Sequence, residues 1–330
     1  MGAGGKKGSV NFADYMILIV LAALILFFGF YIEAFRSSVN LINILRQVSI
    51  VGIAAVGGTL VMLTGGIDLS AGAVIGMSGM LLARLLKAYP DAPDAAFPAN
   101  AALVCVLVLV VCVLIGFLNA FFINQFKIPP LITTLGAMTA LRGGVYLAAD
   151  RGLPIFGFTF KRLGQGTVGP IPIPVIIMIV VFTAGWIFLN TTRFGRYVYG
   201  VGGNEEASRL SGINVKGIRY MVYSLAGLMS GLAGLVLVSR IHSAQPRAGT
   251  GYEMDIITAV VLGGVSITGG EGRISFVVVG VLIMGVLTNG LILINVNEYW
   301  QQVIKGLVLI AAVGFDRYIQ YRRSLAAQQE

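Results

Sequence analysis

Long uncharged apolar runs alternate along the chain with short stretches rich in glycine, proline and charge. A run of about 20 residues is long enough to cross the hydrocarbon core of a bilayer as a helix. The first such run covers residues 15–32, and the second covers 47–67 and ends at Thr64-Gly65-Gly66. A third, 69–83, is short and rich in Gly and Ser, and the polar loop 89–100 follows it. The fourth and fifth runs are 101–123 and 131–149, with Arg142 near the end of the fifth. A Gly/Pro loop, 151–172, leads to the sixth at 173–190. Residues 193–219 are amphiphilic, with five basic and two acidic side chains, and the seventh run is 220–239. The eighth, 256–267, is interrupted by Gly263-Gly264 and closed by Gly269-Gly270. The ninth is 274–294 and the tenth 300–315. This pattern predicts an all-α polytopic membrane protein of about ten helices. A single transmembrane domain, 15–316, would lie between a tail at 1–14 and a tail at 317–330. Whether the third and eighth segments cross fully stays open.

Composition excludes a soluble alternative. Hydrophobic residues make up 57% of the 330 and charged residues 11%, with mean hydropathy +0.89. Soluble domains carry about 25% charged residues, so too few charges exist here to cover a water-facing surface. The net charge of +9 does not indicate nucleic acid, because no long soluble segment exists to form a binding face. Basic cytoplasmic loops account for it. Lys6 and Lys7 before the first run, with mixed Glu33 and Arg36 after it, favour a cytoplasmic N-terminus and an uncleaved first helix. The C-terminal tail falls on the same side. Cys105 and Cys112 would sit about 10 Å apart on one helix, beyond disulfide reach. One histidine, His242, and two distant cysteines give no zinc-site spacing, so no metal is expected.

Enzyme motifs are missing. The stretch GAGGKKGS at residues 2–9 lacks the spacing of a phosphate loop, and neither GxSxG nor HExxH occurs. The chain is expected to do no covalent chemistry and to hold no nucleotide site. The informative residues are the glycine-broken segments at membrane depth, where irregular backbone survives only if protein or water satisfies it. Asp68, beside Gly65, Gly66 and Ser70, reads either as a cap of the following helix or as a functional acid. Gly263, Gly264 and Ser266 mirror that break. A faint repeat joins Gly116 and Asn119 of the fourth run to Gly285 and Asn289 of the ninth, with the second copy inverted. Gly72/Gly76 and Gly227/Gly231 read as helix-packing pairs. Residues 205–210 predict a short exposed helix, with Asn204 as N-cap and Gly212 as its stop. Glu205 and Glu206 favour its first turn. Ala207 and Leu210 supply an apolar pair for a partner's groove, flanked by Glu206 and Arg209.

RYVYGVGGNEEASRLSGINV (196–215) resembles the cytoplasmic coupling segment of permease subunits in the ribose-type branch of ABC sugar importers. GGIDLSAGAVIG (65–76), IPPLITTLGAMTALRGG (128–144) and GTGYEMDIITAVVLGGVSITGGEG (249–272) resemble the same family, and the likeness runs from about residue 45 to 295. Met254 and Thr258 stand where the family favours more aliphatic or smaller residues. The resemblance implies a type II importer fold with two inverted halves, in a bacterial inner membrane. It implies a second permease copy or paralogue, two cytoplasmic ATP-binding subunits and a periplasmic sugar-binding protein, with membrane lipids around the pair. ATP and Mg would be held by those subunits, and this chain would carry no cofactor. Coupling would fall to Gly203, Asn204, Glu205, Glu206, Ala207, Arg209, Leu210 and Gly212. Pathway or gate residues would come from Thr64, Gly65, Gly66, Asp68, Ser70, Asn119, Thr133, Thr134, Gly263, Gly264, Ser266 and Asn289. The expected substrate is a monosaccharide or similar polyol. A nucleoside or branched-chain amino acid importer is the nearer alternative; an ion-coupled transporter and a passive channel are more distant ones.

Overall fold

The computed structural model describes residues 12–87, 99–149, 151–155 and 158–327. The predicted loop 89–100 lies outside them up to residue 98. Thirteen α-helices occur among the described residues: α1 (Phe12–Tyr31), α2 (Ser38–Leu63), α3 (Ala71–Lys87), α4 (Ala99–Phe126), α5 (Pro130–Ala148), α6 (Phe158–Gln165), α7 (Ile173–Thr191), α8 (Arg193–Gly203), α9 (Glu205–Leu210), α10 (Val215–Ile241), α11 (Tyr252–Leu262), α12 (Ile274–Leu293) and α13 (Glu298–Ala327). α6, α8 and α9 are connecting helices, and the other ten answer to the ten apolar runs. Of those ten, α2, α4, α5, α7, α10 and α12 are each long and apolar enough to cross a membrane.

Two runs differ markedly from their helices: α13 continues twelve residues past the tenth run, through most of the predicted C-terminal tail, and α2 starts nine residues earlier than the sequence pattern places it. Ser37 caps α2 by accepting the Asn40 N–H at 3.2 Å, and Arg46 then lies inside the helix. A charge there ends an apolar run in sequence, but its guanidinium donates to the Gln165 carbonyl at 2.8 Å. α2 forms the centre of the molecule. Its most apolar stretch is 78% buried, against 11% for that of α5 on the periphery.

The two ends of α2 define the two ends of the bundle. At the Ser38 end, Asn40 and Asn289 exchange amide hydrogen bonds of 3.0 and 2.9 Å, tying α2 to α12. A two-residue antiparallel pairing, Leu153–Pro154 with Ser243–Ala244, lies at this end with α6. At the Leu63 end, Asn119 of α4 donates to Ser70 at 3.0 Å. The last third of α4 therefore points to one end and that of α12 to the other, which is the inversion that the glycine–asparagine repeat predicts.

The eighth segment carries the largest correction. α11 has 11 residues, or about 16 Å, and crosses only half the hydrocarbon core. It begins at Tyr252, four residues before the eighth apolar run, so Glu253 and Asp255 stand in its first turn and are buried. The backbone before it dips between helices through Gly249 and Gly251, both with left-handed φ (+72° and +82°). Gly72 and Gly76 leave room for this segment and the first turn of α11, not for a long helix packed along α3. A Cβ at Gly72 would overlap the Glu253 carboxylate, and one at Gly76 would lie 2.6 Å from the Ala248 carbonyl oxygen.

Candidate translocation and coupling site

α2 stops because Gly65 turns left-handed (φ +76°), freeing backbone groups within the bundle. Neighbouring helices satisfy them. Thr134 of α5 accepts the Leu69 N–H at 3.1 Å and lies 3.1 Å from the Ile67 carbonyl oxygen. Asp68 does not cap α3 directly. Its carboxylate accepts the N–H (2.8 Å) and hydroxyl (2.6 Å) of Ser70, a turn closed before the helix begins, and Asn119 then anchors Ser70. Tyr223 of α10 packs its ring hydroxyl against Gly66. Thr134, Ser70 and Asn119 are buried, as tight struts must be. Thr64 bonds back to Val61 within its own turn, and Thr133 back to Pro129 in α5, so neither joins the cluster.

The second break begins at Gly263, where a Cβ would collide with the Val277 backbone of α12, and turns at Gly264 (φ +76°). Ser266 and Thr268 hydrogen-bond through their hydroxyls at 2.8 Å and shape the loop. Gly269 and Gly270 are left-handed too. Asn289 lies far from both breaks, in the Asn40 pair at the opposite end.

Between these breaks and water sit α8 and α9. Asn204 caps α9, accepting the Ala207 N–H at 2.9 Å, and Gly212 (φ +82°) follows its end. Glu206 pairs with Arg209 at 2.6 Å, and Glu205 reaches Arg219 of α10. Ser208 is buried against α8, while Ala207 and Leu210 face outward, Leu210 at 79% exposure. Tyr199 of α8 donates to the Gly272 carbonyl at 3.0 Å. Burial pushes its phenol pKa up, which keeps it a neutral donor.

Three backbone segments meet beneath α9. The Gly270 N–H donates to the Leu63 carbonyl at 3.0 Å. A Cβ at Gly202 would overlap that same carbonyl oxygen, one at Gly269 would lie 2.6 Å from the Gly65 nitrogen, and one at Gly270 would lie 2.7 Å from Gly203. The end of α8 thus rests on both glycine turns at once.

Three charged groups of the interior, Glu253, Asp255 and Lys305, carry no role in the sequence pattern, and Arg142 appears there without its partner. Lys305 of α13 binds Asp255 at 2.8 Å, and Arg142 of α5 donates to the Ala248 carbonyl at 2.7 Å beside Glu253. One signal was legible: two acids directly after a Gly-x-Gly turn and before an apolar run mark a helix's first turn.

Both glycine breaks of this bundle of apolar helices thus bear on the end of α8, which leads directly into the exposed, capped α9. Residues 40–313 match the family described as the permease component of branched-chain amino acid transport systems, and the chain belongs to that family. It is a multi-pass inner-membrane protein. It is 43% identical over 310 residues to the ribose import permease protein RbsC of Bacillus subtilis (strain 168), covering 93% of this chain and 91% of that one. Identity to the L-arabinose transport system permease protein AraH of Escherichia coli (strain K12) is 36% over 324 residues, 97% and 96% of the two chains. For the galactose/methyl galactoside import permease protein MglC of the same strain it is 38% over 330 residues, 96% of each. No solved structure matches the chain.

Proposed function

We propose that this chain is the membrane-spanning subunit of an ATP-driven importer that carries a monosaccharide, a pentose or hexose, into the cytoplasm by alternating access. It works with a second permease, two ATP-hydrolysing subunits and an external sugar-binding protein. The ATPases dock on α9 at the Leu63 end, which faces the cytoplasm together with both chain termini, and the sugar arrives at the Ser38 end. The sugar assignment rests on the ribose, arabinose and galactose permeases at 36–43% identity over nearly the whole chain.

One observation carries the mechanism: the packing of Gly202 and Gly203 on Leu63, Gly65, Gly269 and Gly270 beneath an exposed α9. Contacts this close leave no slack, so a push on α9 displaces both turns together. Asp68, Ser70, Asn119 and Thr134 keep the first turn rigid during that stroke and act as struts rather than as lining. The pathway runs along the outward face of α5, between the two permeases. On that face Gly136, Thr139, Ala140 and Gly143 are exposed and small or polar, between the exposed Ile132 and Leu147. The outward face of α4, with Leu103, Leu107, Val110, Leu114 and Leu118, suits lipid instead.

Leu210→Asp tests the docking. An unpaired carboxylate in an apolar groove costs several kcal/mol, on the order of the cost of burying any isolated charge. The variant is expected to insert and pair normally, yet to lose its ATPase subunits and all substrate-stimulated ATP hydrolysis. Co-purification at wild-type level with uptake retained would show that α9 is not the coupling element.

A further inference from the structure

α13 packs principally on α11, and α11 leads into the glycine loop whose Gly269 and Gly270 meet the end of α8. α11 therefore stands as a lever between the coupling contact and a peripheral helix. Its far end is tied by charge. Asp255 is 9% exposed and binds Lys305 at 2.8 Å, while its other oxygen has no partner among the described residues. The pair lies deep. Asp255 borders a small cavity with Gln47, Val51 and Thr288, and Val51 is close to the middle of α2. Lys305 lies about 10 Å along α13 from its start.

Stability alone does not account for such a pair. Removing two charges from water offsets much of their attraction, and apolar replacements of similar size are often neutral or stabilising. A charge pair does add registry, because it is satisfied at one depth and one rotation of α13 against α11. On α11's other side, Arg142 holds the segment that leads into it through the Ala248 carbonyl.

We infer that Asp255 and Lys305 are a positioning pair for transport: they transmit the displacement of the glycine turns through α11 to α13. This rests on the importer reading above. The test uses the full complex, permease with its ATPase subunits and binding protein, in proteoliposomes. Solute moved per ATP hydrolysed is measured beside the amount of ATPase bound. Asp255→Asn and Lys305→Met should each lower that ratio by about tenfold or more, with ATPase binding unchanged. The reversed pair, Asp255→Lys with Lys305→Asp, should restore much of it. The apolar pair, Asp255→Leu with Lys305→Met, should assemble and melt like the wild type while staying uncoupled. Wild-type transport per ATP in the apolar pair would overturn the inference, as would failure of an assembled reversed pair to recover. Absence of ATP-driven uptake by the wild-type complex would instead overturn the importer reading itself.

Discussion

Gly202 and Gly203 are neighbours, yet a methyl group meets different surroundings at each. At Gly202 it would overlap the Leu63 carbonyl, and at Gly203 it would find open space. Gly202→Ala is expected to lower stability by about 1–3 kcal/mol through overpacking and to reduce uptake sharply. Gly203→Ala should stay within about 0.5 kcal/mol of the wild type, and thermal melting of the two variants in detergent compares them directly. Asp68→Asn keeps an acceptor for both Ser70 bonds and should cost about 1 kcal/mol, leaving most transport intact. Loss of uptake with normal assembly would mean that Asp68 handles a proton or ion. The glycines were legible as breaks, but not what they touch. Gly72 and Gly76 look like a helix-packing pair until the re-entrant segment is seen against them. Glu253 and Asp255 look aqueous because the cation that neutralises Asp255 stands 50 positions away, a pairing no local pattern carries.

Among elements, α9 was the most legible, because capping is a local property. Asn204, Glu205 and Gly212 specify its start, first turn and end without help from the rest of the chain. Asn204→Ala should remove about 0.5–2 kcal/mol of local stability, visible as faster amide exchange at Ala207 with the core unaffected. The start of α2 was illegible for the opposite reason, since Arg46 is tolerated only through a carbonyl 119 positions away. The union of α2 with α12 is also long-range. Asn40→Leu or Asn289→Leu alone strands a buried amide, at about 1–3 kcal/mol. The double substitution should cost less than the sum of the two, as a double-mutant cycle of melting would read out, and ATP coupling should persist throughout. A fully additive cycle would mean that the two amides do not support one another.

At the scale of the whole molecule, the sequence conveyed ten apolar segments, their inversion and the short exposed helix α9. It did not convey that α8 rests on both breaks, which depends on three segments more than 60 residues apart. Nor did it convey that α5, an unremarkable apolar run, leaves its small-residue face uncovered. Alternating access along that face is the central claim. It is tested most directly with single cysteines at Gly136 and Gly143, in a chain whose Cys105 and Cys112 are replaced, assembled with its partners in proteoliposomes. Labelling by impermeant thiol reagents is followed from each side, with and without trapped ATP. The account predicts that each cysteine reacts from one side at a time and that ATP trapping reverses which side is open. Reactivity that ignores nucleotide, or no reaction with any aqueous reagent, would contradict it.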